Sequence, residues 1–377
     1  MKSSWPIKKL GEVVNTIESG KRPRGGAVST GIPSLGVEHV TQEGEFNFRD
    51  LKFIPEGFYE DLTKGKINYG DILIAKDGAT TGKTAFVERS FPFAKAAVNE
   101  HLFIIRGNKR LVLQKFLFFF LLSPIGQNQI LKNKHGAAQG GIDQSFINFI
   151  KIPLPSLKIQ QKIVERLDAI KKAQELNDKQ IELAEELFQS LLHRELDPKG
   201  KNWEIKKLKD LTEIHYGKGL AKSDRIENGK YFAYGSNGPV YKTKRFLIDY
   251  PTIVIGRKGA AGALYLTKEP SWPIDTTFYV EIKNKNETNL DFLFFLLQTM
   301  NLQHLAIVTA VPGINRDNLY NLKIPLPPIE TQRKIVEKLS AVQEYKKKLL
   351  EQKQKLQELF ESVLNKFFNK GELVDSC

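Results

Sequence analysis

Two stretches of the chain carry a seven-residue apolar rhythm, and the rest does not. From about Ser156 to Arg194, and again from Pro328 to Phe368, there is no interior proline or glycine. Apolar side chains there recur at alternating three- and four-residue steps, the pattern of a helix that packs along a seam. In the first stretch the a positions are Ile163, Ile170, Asn177, Ala184 and Leu191, with Leu167, Gln174, Ile181 and Phe188 at d. In the second, Ile335, Val342, Leu349, Leu356 and Val363 occupy a, with Leu339, Lys346, Lys353 and Phe360 at d. Breakers bound these helices: Pro153 and Pro155, Pro325 and Pro327 before them, Asp197-Pro198-Lys199-Gly200 after the first. Two matched seams most simply cover each other, either antiparallel, with a globule at each end of a spacer of ~55 Å, or parallel, with the globules side by side. The polar seam residues Gln174, Asn177, Lys346 and Lys353 read as register devices or solvent-facing gaps rather than ligand contacts.

The remaining segments, 5–155 and 203–327, have another texture. Short β-branched and aromatic runs such as Asp71-Ile-Leu-Ile-Ala, His101-Leu-Phe-Ile-Ile, Thr252-Ile-Val-Ile-Gly and Phe278-Tyr-Val-Glu-Ile alternate with Gly, Pro and Asn. This predicts an α+β globule in each, with a helix near 112–122 in the first. The expected domains are therefore 1–155, 156–202, 203–327 and 328–377. The chain is also a repeat. Lys151-Ile-Pro-Leu-Pro, followed by Gln161-Lys-Ile-Val, recurs as Lys323-Ile-Pro-Leu-Pro, followed by Arg333-Lys-Ile-Val. Further pairs keep the same order: Trp5 and Trp203 ahead of Lys-Lys-Leu, Gly20-Lys21 and Gly217-Lys218, Gly78-Ala79 and Gly259-Ala260, Phe116-Leu-Phe-Phe and Phe292-Leu-Phe-Phe.

Charge narrows the function. The 377 residues hold 57 Lys and Arg against 43 Asp and Glu, a net charge of +14, which favours a polyanionic partner such as nucleic acid. The single cysteine, Cys377, permits neither an internal disulfide nor a cysteine zinc site, and a reducing, cytoplasmic setting is expected. The longest apolar run, Phe116 to Leu122, is far short of the ~20 residues that span a bilayer.

The paired Lys-Ile-Pro-Leu-Pro segments with Lys-Ile-Val following, reinforced by the Trp, Gly-Lys and Gly-Ala landmarks, resemble the specificity subunit of type I restriction–modification enzymes over essentially the whole chain. The resemblance implies two pseudo-twofold-related target-recognition globules separated by a long antiparallel two-helix coiled coil. Each globule would read half of a split double-stranded DNA site. Two methyltransferase subunits would dock on the chain, and restriction/translocase subunits would join them. S-adenosylmethionine, ATP and Mg2+ would serve those partners, with no cofactor in this chain. The pseudo-twofold also places the C-terminus near Trp5, and a chain permuted through that junction is expected to keep DNA binding. Because the globules differ between their shared landmarks, the target should be asymmetric.

Apparent enzyme motifs fail on spacing. Gly78-Ala-Thr-Thr-Gly82-Lys83-Thr84 has three residues between its glycines, where a phosphate loop needs four, and a strand-like run follows it. Pro273-Ile-Asp275 with Glu281-Ile-Lys283 imitates a metal-dependent nuclease, but reads as an edge strand with solvated charges. The histidines at 39, 101, 135, 193, 215 and 304 show no zinc spacing and no adjacent nucleophile.

DNA recognition requires cations for phosphates and forked groups for base edges. The candidates are Lys21, Arg22 and Arg24 in Ser19–Gly26, then Lys76 and Lys83 around the Gly-Ala turn. The second globule offers Lys218 and Lys222, Asn237 in a Ser-Asn-Gly turn, and Arg257-Lys258. The late loops Lys134–Gly141 and Gly313–Arg316 add Gln139 and Arg316. Off-seam residues Val164, Leu183, Leu187, Val336 and Leu350 either broaden the helical core or seat partner helices. The alternatives are an orphan sequence-specific DNA binder and a basic coiled-coil scaffold for RNA or acidic protein.

Overall fold

In a computed structural model of the chain, residues 5–136, 140–306 and 312–370 are described, with only the backbone of Lys370. The chain falls into two units, Met1–Asp178 with Gln352–Cys377 and Lys179–Glu351, called unit 1 and unit 2.

Unit 1 begins with β1 (Ile7–Lys9), α1 (Leu10–Val13), β2 (Val14–Ser19), β3 (Ile32–Leu35), β4 (Lys52–Ile54) and α2 (Glu56–Asp61). It continues through β5 (Ile72–Ala75), β6 (Thr84–Phe86), β7 (Ala97–Val98), β8 (Leu102–Gly107), α3 (Gln114–Leu122), α4 (Pro124–Lys132) and β9 (Lys151–Pro153). The long helix α5 (Leu157–Leu196) leads into unit 2. There follow β10 (Glu204–Lys207), α6 (Leu208–Leu211), β11 (Thr212–Tyr216), β12 (Tyr231–Gly235), β13 (Gly238–Thr243), β14 (Thr252–Gly256), β15 (Leu264–Thr267), β16 (Ser271–Pro273) and β17 (Thr277–Ile282). Then come α7 (Leu290–Thr299), α8 (Arg316–Tyr320), β18 (Lys323–Leu326) and the second long helix α9 (Ile329–Lys370).

The sheets have the same topology twice. Unit 1 holds a four-stranded sheet β2-β8-β5-β6, a three-stranded sheet β4-β3-β7 and the pair β1-β9. Unit 2 holds β11-β17-β14-β15, β13-β12-β16 and β10-β18. In both three-stranded sheets the middle strand has one antiparallel and one parallel neighbour. The repeated sequence landmarks pair with each other: Ile7 lies opposite Pro153 and Glu204 opposite Leu326, so each Lys-Ile-Pro segment is a strand zipped to the start of its own globule.

The helix expected near 112–122 is α3. It is apolar all round, as a helix must be when it is surrounded by core, and Phe116 through Leu121 are buried; in α7, Phe292 through Leu297 are likewise buried. These helices pack on the four-stranded sheets, with Ile72, Ile74, Phe103 and Ile105 in unit 1 and Ile253, Ile255, Phe278 and Val280 in unit 2.

A second repeated residue holds each globule to its long helix. Gln160, fully buried, donates to the carbonyls of Leu111 and Pro155 and accepts from the Leu113 N–H. Gln332, also fully buried, donates to Glu287 and Pro327 and accepts from Asn289. Each amide satisfies loop groups that would otherwise be buried unpaired. Gln160→Ala is expected to cost about 2–4 kcal/mol, since buried backbone partners are left unmade. Urea unfolding in a Trp203→Phe, Trp272→Phe background, followed by Trp5 fluorescence, measures this; a change under 0.5 kcal/mol, the size of an ordinary surface substitution, would contradict it.

Within each unit the two long helices run antiparallel. In unit 1 Gln174 pairs with Gln357 at 3.1 Å and Asp178 with Lys353 at 2.8 Å. In unit 2 Glu185 pairs with Lys346, and Glu195 with Lys338 at 3.1 Å. As one number rises the other falls, which excludes the parallel arrangement. The seam residues Ile163, Leu167, Ala184, Phe188, Ile335, Leu339, Leu349 and Phe360 are buried as expected. Gln174, Lys346 and Lys353 pair across to the other helix, in keeping with a register role. The off-seam residues divide. Val164 is buried and Val336 packs against the unit 2 core, whereas Leu183, Leu187 and Leu350 are about half exposed.

Candidate nucleic-acid interface

In unit 1 three separate segments converge at the end of β5. Lys76 donates its N–H to the His101 carbonyl at 3.1 Å and accepts from the Ile142 N–H at 2.8 Å. Asp77 bridges Gly141, and the Gly78 N–H donates to the Gly140 carbonyl at 3.1 Å. Gly78 has φ +69°, a conformation that favours glycine. The Lys134 ammonium donates to the Gly78 carbonyl at 2.8 Å. The third segment arrives through Gly20, where a Cβ would lie 1.5 Å from the Val98 carbonyl oxygen, so no other residue fits. From that point Lys21, Arg22 and Arg24 emerge, all exposed. Arg22 Nε meets Glu100 Oε1 at 3.0 Å, and His101 bridges Glu100 (3.3 Å) and Asp77 (2.8 Å).

Unit 2 repeats the clamp with other side chains. Lys258 bridges Gly313, the Gly259 N–H donates to the Pro312 carbonyl at 3.0 Å, and the Ile314 N–H to the Arg257 carbonyl at 2.9 Å. Gly217 takes the part of Gly20, its Cβ position 2.1 Å from the Ile274 carbonyl oxygen. The Arg257 guanidinium donates to the Asp275 carbonyl at 2.6 Å and lies 5.5 Å from the Tyr216 ring centre; Arg316 lies 5.2 Å from the same ring. Ser236 sits against Gly256 and Gly259, which places the Asn237 turn beside Arg257 and Lys258.

The clusters expected from sequence are thus assembled, with exceptions. Lys21, Arg22 and Lys76 share one region of unit 1, with Arg24 exposed two residues beyond Arg22, and Lys218, Asn237, Arg257, Lys258 and Arg316 share one region of unit 2. Lys83 is half buried where the turn re-enters β6. Lys222 is exposed on a short turn, Lys222–Asp224. Gln139 lies outside the described residues.

Other residues of the two units were not singled out from the sequence. In unit 2 Arg225 lies 4.3 Å from the Tyr241 ring centre, Lys242 5.4 Å from Phe232 and Arg245 5.7 Å from Trp272. Tyr216, Phe232, Tyr241 and Phe246 are 40–48 % exposed, an interleaving of cations and aromatic rings suited to nucleic acid. The alternation in Tyr241-Lys-Thr-Lys-Arg-Phe246 was the readable hint. Glu100 and His101 in unit 1 gave none.

The enzyme-like motifs resolve as structure. Gly78–Thr80 is one 3-10 turn followed by a strand, with no helix N-terminus to face a phosphate. The segment expected to be an edge strand, with Asp275 and Glu281, is corrected: β17 lies between β11 and β14. Its apolar side chains fill the core, and Glu281 pairs with His215 at 3.2 Å. Burial, with the nearby Glu281 carboxylate, pushes the Tyr250 hydroxyl up to about 12. No group of three or more metal-ligating side chains occurs among the described residues. Nor is any helix among them long and apolar enough to cross a membrane. Where α3 meets α5, burial pushes Asp168 up and Lys171 down, while Lys115 pairs with Asp168 at 2.8 Å.

The family model for the type I restriction modification DNA specificity domain matches residues 2–186 and again 200–359. The chain belongs to this family of type I specificity subunits. Among curated specificity subunits it is 24 % identical to the MjaVIII type I restriction enzyme subunit of Methanocaldococcus jannaschii, over 97 % of this chain and 91 % of that one. It is 30 % identical to the EcoKI specificity subunit of Escherichia coli over a shorter region, 37 % of this chain and 29 % of that one. The fold matches the type I system S subunit from M. genitalium with a TM-score of 0.65 at 15 % identity, covering 97 % and 96 % of the two chains. The HsdS subunit from Thermoanaerobacter tengcongensis gives 0.54 at 20 % identity, covering 99 % and 98 %. In this specificity subunit the landmarks shared by both halves are the segments that build the clamp and the strand pairs.

Proposed function

We propose that each globule reads one half of a split, asymmetric double-stranded DNA site, and that the paired helices set the gap between the halves and dock two methyltransferase subunits. One observation carries this reading. The same three-segment clamp recurs in both units with its backbone bonds kept and its exposed side chains changed. A common scaffold bearing different donors is what two unlike half-sites demand, since side chains at base edges specify sequence. The net charge of +14 suits phosphate contacts, and the half-exposed Leu183, Leu187 and Leu350 suit partner helices. Methylation and cleavage, with S-adenosylmethionine, ATP and Mg2+, then belong to methyltransferase and restriction/translocase partners in the cytoplasm, and this chain is non-catalytic.

Single-molecule sequencing of genomic DNA tests the proposal, comparing cells that carry the chain and its methyltransferase with a deletion strain. The expected result is a modified motif of two unlike half-sites around a fixed gap, absent from the deletion. A palindromic motif would overturn the asymmetric reading. Identical methylation in both strains would favour a binder without methyltransferase partners.

A further inference from the structure

Two carboxylates, Asp77 and Glu100, stand in the unit 1 region proposed to meet DNA. A carboxylate there repels phosphate, so its presence requires another role. Arg22 Nε lies 3.0 Å and His101 Nε2 3.3 Å from Glu100 Oε1 as charge contacts, and His101 Nδ1 hydrogen-bonds Asp77 Oδ2 at 2.8 Å. Both ends of this chain are anchored to backbone. The Glu100 carbonyl accepts from Ser19 Oγ at 3.1 Å, at the end of β2, and Asp77 bridges Gly141. Arg22 is thereby tethered to the clamp, although its side chain remains 47 % exposed.

The ion pair makes its closest approach at Nε, and among the described residues no hydrogen bond occupies the Nη1/Nη2 edge of the fork, which is left for a second partner. That edge matches O6 and N7 of guanine, and holding a flexible guanidinium in advance reduces the ordering cost of binding. Glu100 Oε2 is buried without a hydrogen-bond partner among the described residues. An unsatisfied buried oxygen weakens the fold, and such costs are tolerated at functional sites. Unit 2 has no counterpart: Gly219 follows Lys218 where Arg22 follows Lys21, and the carbonyl that receives the Arg257 N–H belongs to Thr276 rather than a histidine.

We propose that Arg22, held by Glu100, reads one guanine in the half-site of unit 1, with Glu100 and His101 as positioning residues. The inference rests on the reading of unit 1 as a DNA-recognition globule and goes beyond it in assigning a base to a side chain.

The test is the methylation motif of cells expressing the full complex with Arg22→Lys, Glu100→Ala or His101→Gln. Arg22→Lys should relax one G·C position of one half-site, lowering discrimination there roughly ten- to hundredfold, with the other half-site unchanged. Glu100→Ala should relax the same position, and His101→Gln the same position by less. A merely structural role would lower methylation without altering the motif. Unchanged half-sites in Arg22→Lys and Glu100→Ala overturn the inference while leaving the DNA-reading function intact. Absence of any motif in the wild type overturns both. If a variant abolishes methylation, the purified complex is assayed on duplexes carrying each base pair at each position of the wild-type half-site. Relaxation at one G·C pair supports the inference, and a uniform loss across all duplexes overturns it.

Discussion

A chain ending at Leu359 is expected to lose the folded state of unit 1. The last turns of α9 are part of that unit's core: Phe360, Leu364, Phe367 and Phe368 are each no more than 6 % exposed and cluster with Trp5, Phe116 and Phe120. Phe368 lies 5.3 Å from Phe116 and 5.6 Å from Phe120, ring centre to ring centre, and Phe360 lies 6.2 Å from Phe119. Replacing one such ring by alanine costs about 3–5 kcal/mol, from lost transfer energy and the cavity left behind. Phe367→Ala should therefore consume much of the 5–15 kcal/mol that holds an ordinary domain together, and removal of all four residues should exceed it. Of the three tryptophans, Trp203 and Trp272 lie in unit 2, so a Trp203→Phe, Trp272→Phe background makes Trp5 the reporter of unit 1. A blue-shifted Trp5 emission with a cooperative urea transition in the truncated chain would refute the expectation.

The second large effect concerns salt. If Lys21, Arg24, Lys218 and Lys258, all exposed, each meet a phosphate, replacing the four by alanine should flatten the plot of log affinity against log salt by roughly 3–4 and weaken binding near 0.1 M salt by roughly 10³. Preference for the cognate sequence should survive, because phosphate contacts carry no sequence information. Replacing Lys347 and Lys348, exposed on α9, serves as the control and should leave the slope unchanged. Titrations of the assembled complex at several salt concentrations decide the matter. An unchanged slope in the four-residue variant would remove these side chains from the interface.

Much of the architecture was legible because it follows from local periodicity. The heptads located both long helices to within a few residues, and the ordered landmarks marked the duplication. Their meaning was less accessible. Nothing in Trp-Xaa-Ile-Lys-Lys-Leu shows that it pairs with Lys-Ile-Pro, since that strand pairing joins Lys9 to Lys151 across the whole globule. Gln160 and Gln332 stood in the repeated segment as ordinary polar residues, and only the fold shows them satisfying three backbone groups each. The candidate cations were readable as types in loops. Their grouping depends on glycines that let backbones touch, Gly20 on Val98 and Gly217 on Ile274, and on ion pairs such as Arg22 with Glu100 that no short-range rule connects. The edge-strand reading of the Asp275 region failed for the same reason: strand order is a long-range property.

The discontinuity of unit 1 has a consequence for synthesis. Unit 2 is one uninterrupted stretch, whereas unit 1 is opened by Met1–Asp178 and closed only by Gln352–Cys377. A ribosome adding about 5–20 residues per second needs roughly 10–35 seconds to travel from the first part to the second. Throughout that interval the Phe116–Leu121 helix lacks the four α9 side chains that complete its packing. The nascent first globule is thus an exposed phenylalanine-rich surface waiting for the end of its own message, a natural client for chaperones. A product terminated early leaves that surface uncovered and open to proteolytic clearance.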